Sequence, residues 1–168
     1  FNNKVNQKKA TIAFDENGIC DACNYTKKKN SIVDWGEREK QLLELCDKHR
    51  KNDGSYDVIV PSSGGKDSAY VAHLLKEKYG MNPLTVTWPP NIYTTYGYEN
   101  FKNLLKKGKL ANTSAKRNES VMRLVTKLAV TNLMHPFQPF MLGQKIYPIR
   151  VAIKMKIPLI FYGENEAE

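Results

Sequence analysis

The chain has 168 residues, of which 41% are hydrophobic, and this suits one ordinary domain with at most a small appendage. No apolar run approaches the ~18 residues that a membrane-spanning helix needs, and a 10% aromatic content spread over periodic apolar segments excludes wholesale disorder. The net charge of +9 favours anionic partners, whether nucleic acid, phosphates or acidic sugars, without choosing among them.

Residues 1–10 read as a polar arm. Residues 11–33 form a small separate unit, with a strand-like stretch from Thr11 to Phe14, a tight-turn signal at Asn17-Gly18, and then Cys20 and Cys23. A helix is predicted from about Asp34 to His49. Asp34 and Glu37 can form a capping box, and Trp35, Leu42, Leu43 and Cys46 share one face. Residues 56–60 read as a strand, followed by a Ser/Gly loop, a helix over 66–79 closed by Gly80, and a second strand over 83–88. This is a βαβ unit, expected to be parallel and right-handed. An aromatic, proline-bearing loop over 89–98 leads to a helix over 98–107 and a third strand near 110–113. Asn118 can cap a helix to Met134, along which Val121, Leu124, Val125, Leu128, Ala129 and Leu133 keep helical spacing. Further helix is expected over 139–156, broken near Pro148, before a last buried strand over 157–162.

The chemistry is concentrated in Val60-Pro-Ser-Ser-Gly-Gly-Lys-Asp-Ser68, between a strand and a helix. Gly64 and Gly65 let the backbone approach a ligand and turn its amides inward, and the next helix opens with unpaired N–H groups. Ser62, Ser63 and Ser68 add hydroxyls, and Lys66 adds a point charge. The combination suits a phosphate or pyrophosphate. It is not a Walker A loop. Val60 stands where that pattern needs its first Gly, and Asp67 stands where it needs Ser or Thr. An Asp beside phosphates is suited to holding Mg²⁺.

Ser63-Gly-Gly-Lys-Asp-Ser68 resembles the PP-loop signature of the ATP-pyrophosphatase superfamily, which includes GMP, asparagine and NAD synthetases and tRNA-modifying enzymes. Longer strings, Phe14-Asp-Glu-Asn-Gly-Ile-Cys-Asp-Ala-Cys23, Asn82-Pro-Leu-Thr-Val-Thr-Trp88, His135-Pro-Phe-Gln-Pro-Phe140 and Tyr162-Gly-Glu-Asn-Glu-Ala-Glu168, are similar to the N-acetyl sugar amidotransferases of pseudaminic-acid (flagellin) and lipopolysaccharide sugar biosynthesis. The resemblance implies a HUP-type α/β fold: a parallel sheet with flanking helices over 34–168, preceded by a zinc-knuckle-like unit over 1–33. It implies that ATP adenylates an N-acetyl carbonyl oxygen and that ammonia then displaces AMP to leave an acetamidino group. On that reading Ser63, Gly64, Gly65, Lys66 and Ser68 cradle pyrophosphate, with Lys66 and Asp67 catalytic and Asp67 also on Mg²⁺. Thr85, Val86 and Thr87 lie near adenine, and Gly163, Glu164 and Asn165 lie beyond the last strand. The implied partners are an N-acetylated sugar and ammonia, free or from a glutaminase subunit. Neither a membrane nor nucleic acid is expected.

Cys20-x-x-Cys23 is half of a zinc knuckle, with a redox pair or two idle thiols as the other readings. Related sugar amidotransferases carry a second Cys pair upstream, and this chain has none there. Cys46 reads as a core thiol. Trp88, Tyr93, Tyr96 and Tyr98 suit either sugar stacking or loop packing. His135, Gln138 and Gln144 are substrate or ammonia-site candidates, and Glu164 and Glu166 are metal, substrate or plain surface groups. Three cysteines that cannot all pair, and a polar start without an apolar leader core, point to a reducing, cytoplasmic setting. The missing initial Met and the end at Glu168 read as a fragment. The competing readings are a PP-loop tRNA-modifying enzyme, which the charge and the Cys pair also fit, and a non-catalytic basic zinc-knuckle module.

Overall fold

A computed structural model describes residues 12–164. The chain divides into two compact units at the Glu44–Leu45 boundary. The N-terminal arm and Thr11 lie outside the described residues.

In the first unit, Phe14 and Cys20 form an antiparallel bridge across the turn at Gly18, whose φ is +73°. The Asp15 carboxylate holds the turn by accepting from the Asn17 and Ile19 amides, both at 2.9 Å. Helix α1 (Asp21–Ile32) follows at once, which the sequence did not predict. None of its residues is buried, so it carries no apolar stripe to announce it. Asp34 Oδ1 then accepts from the Glu37 amide at 3.0 Å and starts α2 (Trp35–His49), as the capping pattern indicated.

The second unit is a parallel α/β layer structure. Strand β1 (Val58–Pro61) leads into α3 (Lys66–His73), which continues as a wider π-helical turn over Leu74–Lys78. The Tyr79 amide reaches back five residues to the Leu74 carbonyl, and Gly80, at φ +61°, ends the helix. Then come β2 (Pro83–Thr87), α4 (Thr95–Gly108), β3 (Ala111–Ser114), α5 (Glu119–Leu133) and α6 (Gln138–Met155).

The sheet order is β1-β2-β3, all parallel, with Val60 opposite Thr85 and Thr85 opposite Asn112. All five residues of β2 are buried, as expected for a parallel sheet covered on both faces. The expected strand over 157–162 is reduced to one parallel bridge, Ile59 to Ile160, on the free side of β1. The Ile59 amide donates to the Leu159 carbonyl and the Phe161 amide to the Ile59 carbonyl, both at 2.9 Å. In this register the next ladder bond, to the Phe161 carbonyl, would come from residue 61, and Pro61 has no N–H. The chain therefore fills β2 and β3 on one side of β1 and returns to the other side. This reversal opens a crevice at the carboxyl ends of the strands. At the opposite end, Asn82 ties β2 to the turn before β1 through the Gly54 and Ser55 carbonyls.

The core joins Ile59, Leu84 and Val86 of the sheet to Val151 and Ala152 of α6 and to Ile157. That burial explains why α6 runs unbroken, against expectation. Pro148 removes one helical bond, at a cost of roughly 3 kcal/mol, but it and the next turn are buried against the sheet. Asn118 caps α5 by accepting from the Val121 amide at 3.1 Å. Of the six residues predicted to form the apolar face of α5, Ala129 is buried, while Val121, Leu124, Leu128 and Leu133 stay exposed. Among the described residues no helix is long and apolar enough to cross a membrane.

Candidate functional site

The Ser/Gly loop closes on itself. Ser62 Oγ and Ser68 Oγ are 2.8 Å apart, both residues are buried, the Gly64 amide donates to Ser62 Oγ at 3.4 Å, and Ser68 Oγ donates to the Gly65 carbonyl at 3.2 Å. One proton order satisfies this set: Gly64 N–H to Ser62, Ser62 O–H to Ser68, and Ser68 O–H to the Gly65 carbonyl. Gly64 has φ +95°, and a Cβ there would lie 2.7 Å from the Phe101 backbone, so only glycine fits. Two of the three serines thus build the loop, while Ser63 is exposed.

Gly65 is the N-cap of α3 and has no side chain to cover the amides of the first turn. Lys66 Nζ lies 2.7 and 2.8 Å from the two carboxylate oxygens of Asp67, and both side chains are exposed. The loop therefore presents an uncapped helix start beside one cation and one anion.

A cavity of about 390 Å³ lies at the carboxyl ends of the strands. The end of β1 contributes Pro61, Ser62 and Ser63, and β2 contributes Val86 with the following Trp88. Gln144, Lys145 and Pro148 enter from α6, and Tyr162 and Glu164 from beyond the Ile160 bridge. Gly163 lies flush on the start of α3, where a Cβ would fall 2.5 Å from the Ser68 amide nitrogen. The site thus gathers Ser62, Ser63, Val86, Trp88, Gln144 and Glu164 of the predicted set, with Gly163 against the loop helix. The Thr85 and Thr87 hydroxyls are buried in the sheet and donate to the Ala111 and Ser62 carbonyls at 2.7 and 2.6 Å. Asn165 and Glu166 lie outside the described residues.

Tyr93, His135 and Gln138 do not line this cavity. Tyr93 packs edge-on to Tyr98 and stacks with Phe101, and burial pushes its hydroxyl pKa up. His135 is half-buried in the turn between α5 and α6. Gln138 lines a second cavity of about 670 Å³, walled mainly by apolar side chains of α5 and α6. Trp88 lines both cavities. Gly143 lies so close to the indole that a Cβ would overlap it. The Arg117 guanidinium sits 5.8 Å from the ring centre and donates to Asn91 Oδ1 and the Pro90 carbonyl at 2.8 and 3.0 Å. The buried indole N–H has no partner among the described residues.

Sequence reasoning missed Lys145, Pro148 and Tyr162 in the cleft, Arg117 beside Trp88, and Asn112 in the sheet. A signal existed for two of them: Gln144, Lys145 and Pro148 have the i, i+1, i+4 spacing of one helix face.

In the first unit, Cys20 is the N-cap of α1 and Cys23 lies one turn inside it, so the pair opens a helix. The Cys23 amide, donating to Cys20 Sγ at 3.4 Å, holds the Cys20 thiol below its ordinary range. Its bond to Cys20 pushes the Cys23 thiol up. Among the described residues no group of three or more His, Cys, Asp or Glu could hold a metal. Two thiols do not make a closed zinc site, which needs four ligands. Cys46 is fully buried, and burial pushes its pKa up.

No family model matches the chain. It is 28% identical to an uncharacterized protein of Methanocaldococcus jannaschii over 52% of this chain and 38% of that protein. Among solved structures it is similar to the NH3-dependent NAD synthetase from Campylobacter jejuni, determined in complex with the nitrate ion. The TM-score is 0.60 at 21% identity, covering 81% of this chain and 59% of that one. The chain therefore spans less than two-thirds of either protein's length. The likeness establishes the fold: a HUP-type α/β architecture with a parallel sheet and flanking helices, as the sequence implied.

Proposed function

We propose that this chain is the ATP-binding part of an ATP-dependent, ammonia-using enzyme of the PP-loop kind. One observation carries the reading. A loop whose hydroxyls are closed inward delivers an uncapped helix start to a strand-end cleft at the point where the sheet order reverses. The synthetase with the same fold is NH3-dependent by its name, which supports ammonia as the nucleophile.

Within that class we infer a sugar amidotransferase. The N-acetyl carbonyl oxygen attacks the α-phosphorus of ATP and pyrophosphate leaves. Ammonia adds to the activated carbon, the C–O bond to AMP breaks, and protons lost from nitrogen leave an acetamidino group. The chain's own work is positional and electrostatic. The Gly64–Ser68 backbone and Ser63 hold the departing pyrophosphate. Lys66 turns from Asp67 to the phosphate, which frees the Asp67 carboxylate for Mg²⁺. That ion would supply charge neutralisation on the phosphates. A lone exposed carboxylate in the loop fits a cation shared with ATP better than a caged metal. Val86, whose side of β2 faces the cleft, packs on the adenine. Trp88, Gln144 and Glu164 receive the sugar, and the apolar walls of the larger cavity make it the poorer sugar site. The Cys20–Cys23 pair supplies two of the four donors a zinc site would need, and no step runs through it.

Calorimetric titration of MgATP tests the reading. The chain is expected to bind, and Lys66→Ala to weaken binding about tenfold, as loss of one charge-assisted phosphate contact implies. Equal affinity in the two proteins, or no binding in either, would remove the loop from nucleotide recognition.

A further inference from the structure

From the bonds that link the three strands we propose that Asn112, on β3, is a positioning residue for the Ser/Gly loop, acting through Thr87. The inference rests on the nucleotide-binding reading for its consequence, but not for its geometry.

The chain of bonds is continuous. Asn112 Nδ2 donates to Thr87 Oγ1 at 2.8 Å, and Thr87 Oγ1 gives its own proton to the Ser62 carbonyl at 2.6 Å. Ser62 is the first residue of the loop, and its hydroxyl meets Ser68 at the start of α3. The Ser62 amide is held as well, donating to the Val86 carbonyl at 2.9 Å. The backbone N–H and carbonyl of Ser62 are therefore both fixed from within the sheet, and its side chain is fixed from α3.

Asn112 is itself oriented. Its Oδ1 accepts from Ser114 Oγ at 2.9 Å, which places the amide nitrogen toward β2. That nitrogen also donates to Thr85 Oγ1 at 2.9 Å and to the Thr85 carbonyl at 3.2 Å. Both threonine hydroxyls direct their protons to carbonyls, so each offers only lone pairs to position 112. An amide donor satisfies both, whereas a carboxylate of the same shape would face two acceptors. Thr87 and Thr85 are fully buried, so water cannot replace the lost bond at either. The apolar periodicity that located the strands gives no hint of this network, because it is a polar ladder inside a buried sheet.

What the ladder does follows from where it ends. A Ser/Gly loop has few side chains to hold it, and Gly64 and Gly65 give it a wide choice of backbone conformations. Anchoring Ser62 fixes the first residue, and the Ser62–Ser68 bond carries that restraint to the amides that would meet phosphate.

The test uses the full chain in four variants. Thr87→Val keeps the shape and removes the hydroxyl, Thr87→Ser keeps the hydroxyl, Asn112→Asp keeps the shape and removes the donor, and Asn82→Ala breaks polar ties at the opposite end of the sheet. Amide hydrogen exchange is read over residues 62–68 without nucleotide, together with thermal melting and MgATP affinity. Thr87→Val and Asn112→Asp are expected to speed loop exchange about tenfold and to weaken MgATP by a similar factor. Thr87→Ser should restore both, and Asn82→Ala should lower the melting temperature without selective loop exchange. Loop exchange that is unchanged in Thr87→Val and Asn112→Asp, or raised as much in Asn82→Ala, overturns the positioning role. If the unmodified chain binds no MgATP, the nucleotide reading fails, and the exchange data still decide whether the ladder holds the loop.

Discussion

Gly163 shows how closely the cleft is assembled. It belongs to the segment after the Ile160 bridge, yet it touches the first turn of α3, some ninety-five residues earlier in sequence. A methyl group at 163 would meet the Ser68 amide nitrogen at 2.5 Å and the Asp67 carbonyl carbon at 2.8 Å, both backbone atoms that cannot swing aside. Either the segment lifts from the helix or the helix start retreats, and each displaces the amides that face the cleft. Gly163→Ala should therefore cost about 1–3 kcal/mol in stability, the usual range for overpacking, and weaken MgATP more than that stability loss implies. Thermal melting and calorimetry read the two effects separately. A variant with lowered stability and undiminished nucleotide affinity would show that the contact is structural only.

At the scale of elements, the same reasoning applies to α1. Its N-cap is a thiol, a weak acceptor, and the helix-start amide that it receives favours the thiolate at Cys20 over Cys23. The thiolate is the reactive form. As pH rises, alkylation is expected first at Cys20, then at Cys23, while buried Cys46 stays unmodified until the chain unfolds. Peptide mass spectrometry after iodoacetamide at stepped pH checks the order, and equal labelling of Cys20 and Cys23 throughout would contradict the cap. This helix also marks where sequence reading stopped. The βαβ unit, the capped starts of α2 and α5 and the loop itself were legible, because each carries a local signal: a buried apolar strand, an Asp or Asn cap, or paired glycines. Helix α1 was not, since it buries nothing. The break expected at Pro148 failed because proline's local cost was outweighed by tertiary burial. The last strand shrank to a bridge, since Pro61 on β1 cannot donate the next bond to it. In the site, residues adjacent in sequence to the loop were found, whereas Lys145 and Asn112 needed the topology that brings α6 and β3 to it.

For the molecule as a whole, the division at Glu44–Leu45 has a functional corollary. Every residue lining the cleft lies between Pro61 and Glu164, and the ladder behind it runs from Ser62 to Ser114. The thiol pair of the first unit is what the zinc-knuckle reading would use, and residues 1–33 carry six Lys against three acidic residues, so removing them tests that reading while leaving most of the +9 surplus in place. A chain beginning at Asp34, which keeps the cap of α2, should fold and bind MgATP within about twofold of the parent, a change well under 1 kcal/mol. Its affinity should also depend only weakly on salt. A zinc-knuckle module would instead lose RNA binding with residues 1–33, and in the parent that binding would fall steeply between low and physiological salt. If MgATP affinity collapses in the shortened chain while its melting remains cooperative, residues 1–33 do take part in nucleotide binding and the assignment of the cleft to residues 61–164 is incomplete. If affinity persists and RNA is not retained by the parent at moderate salt, the basic surface is solvation, and recognition belongs to the cleft.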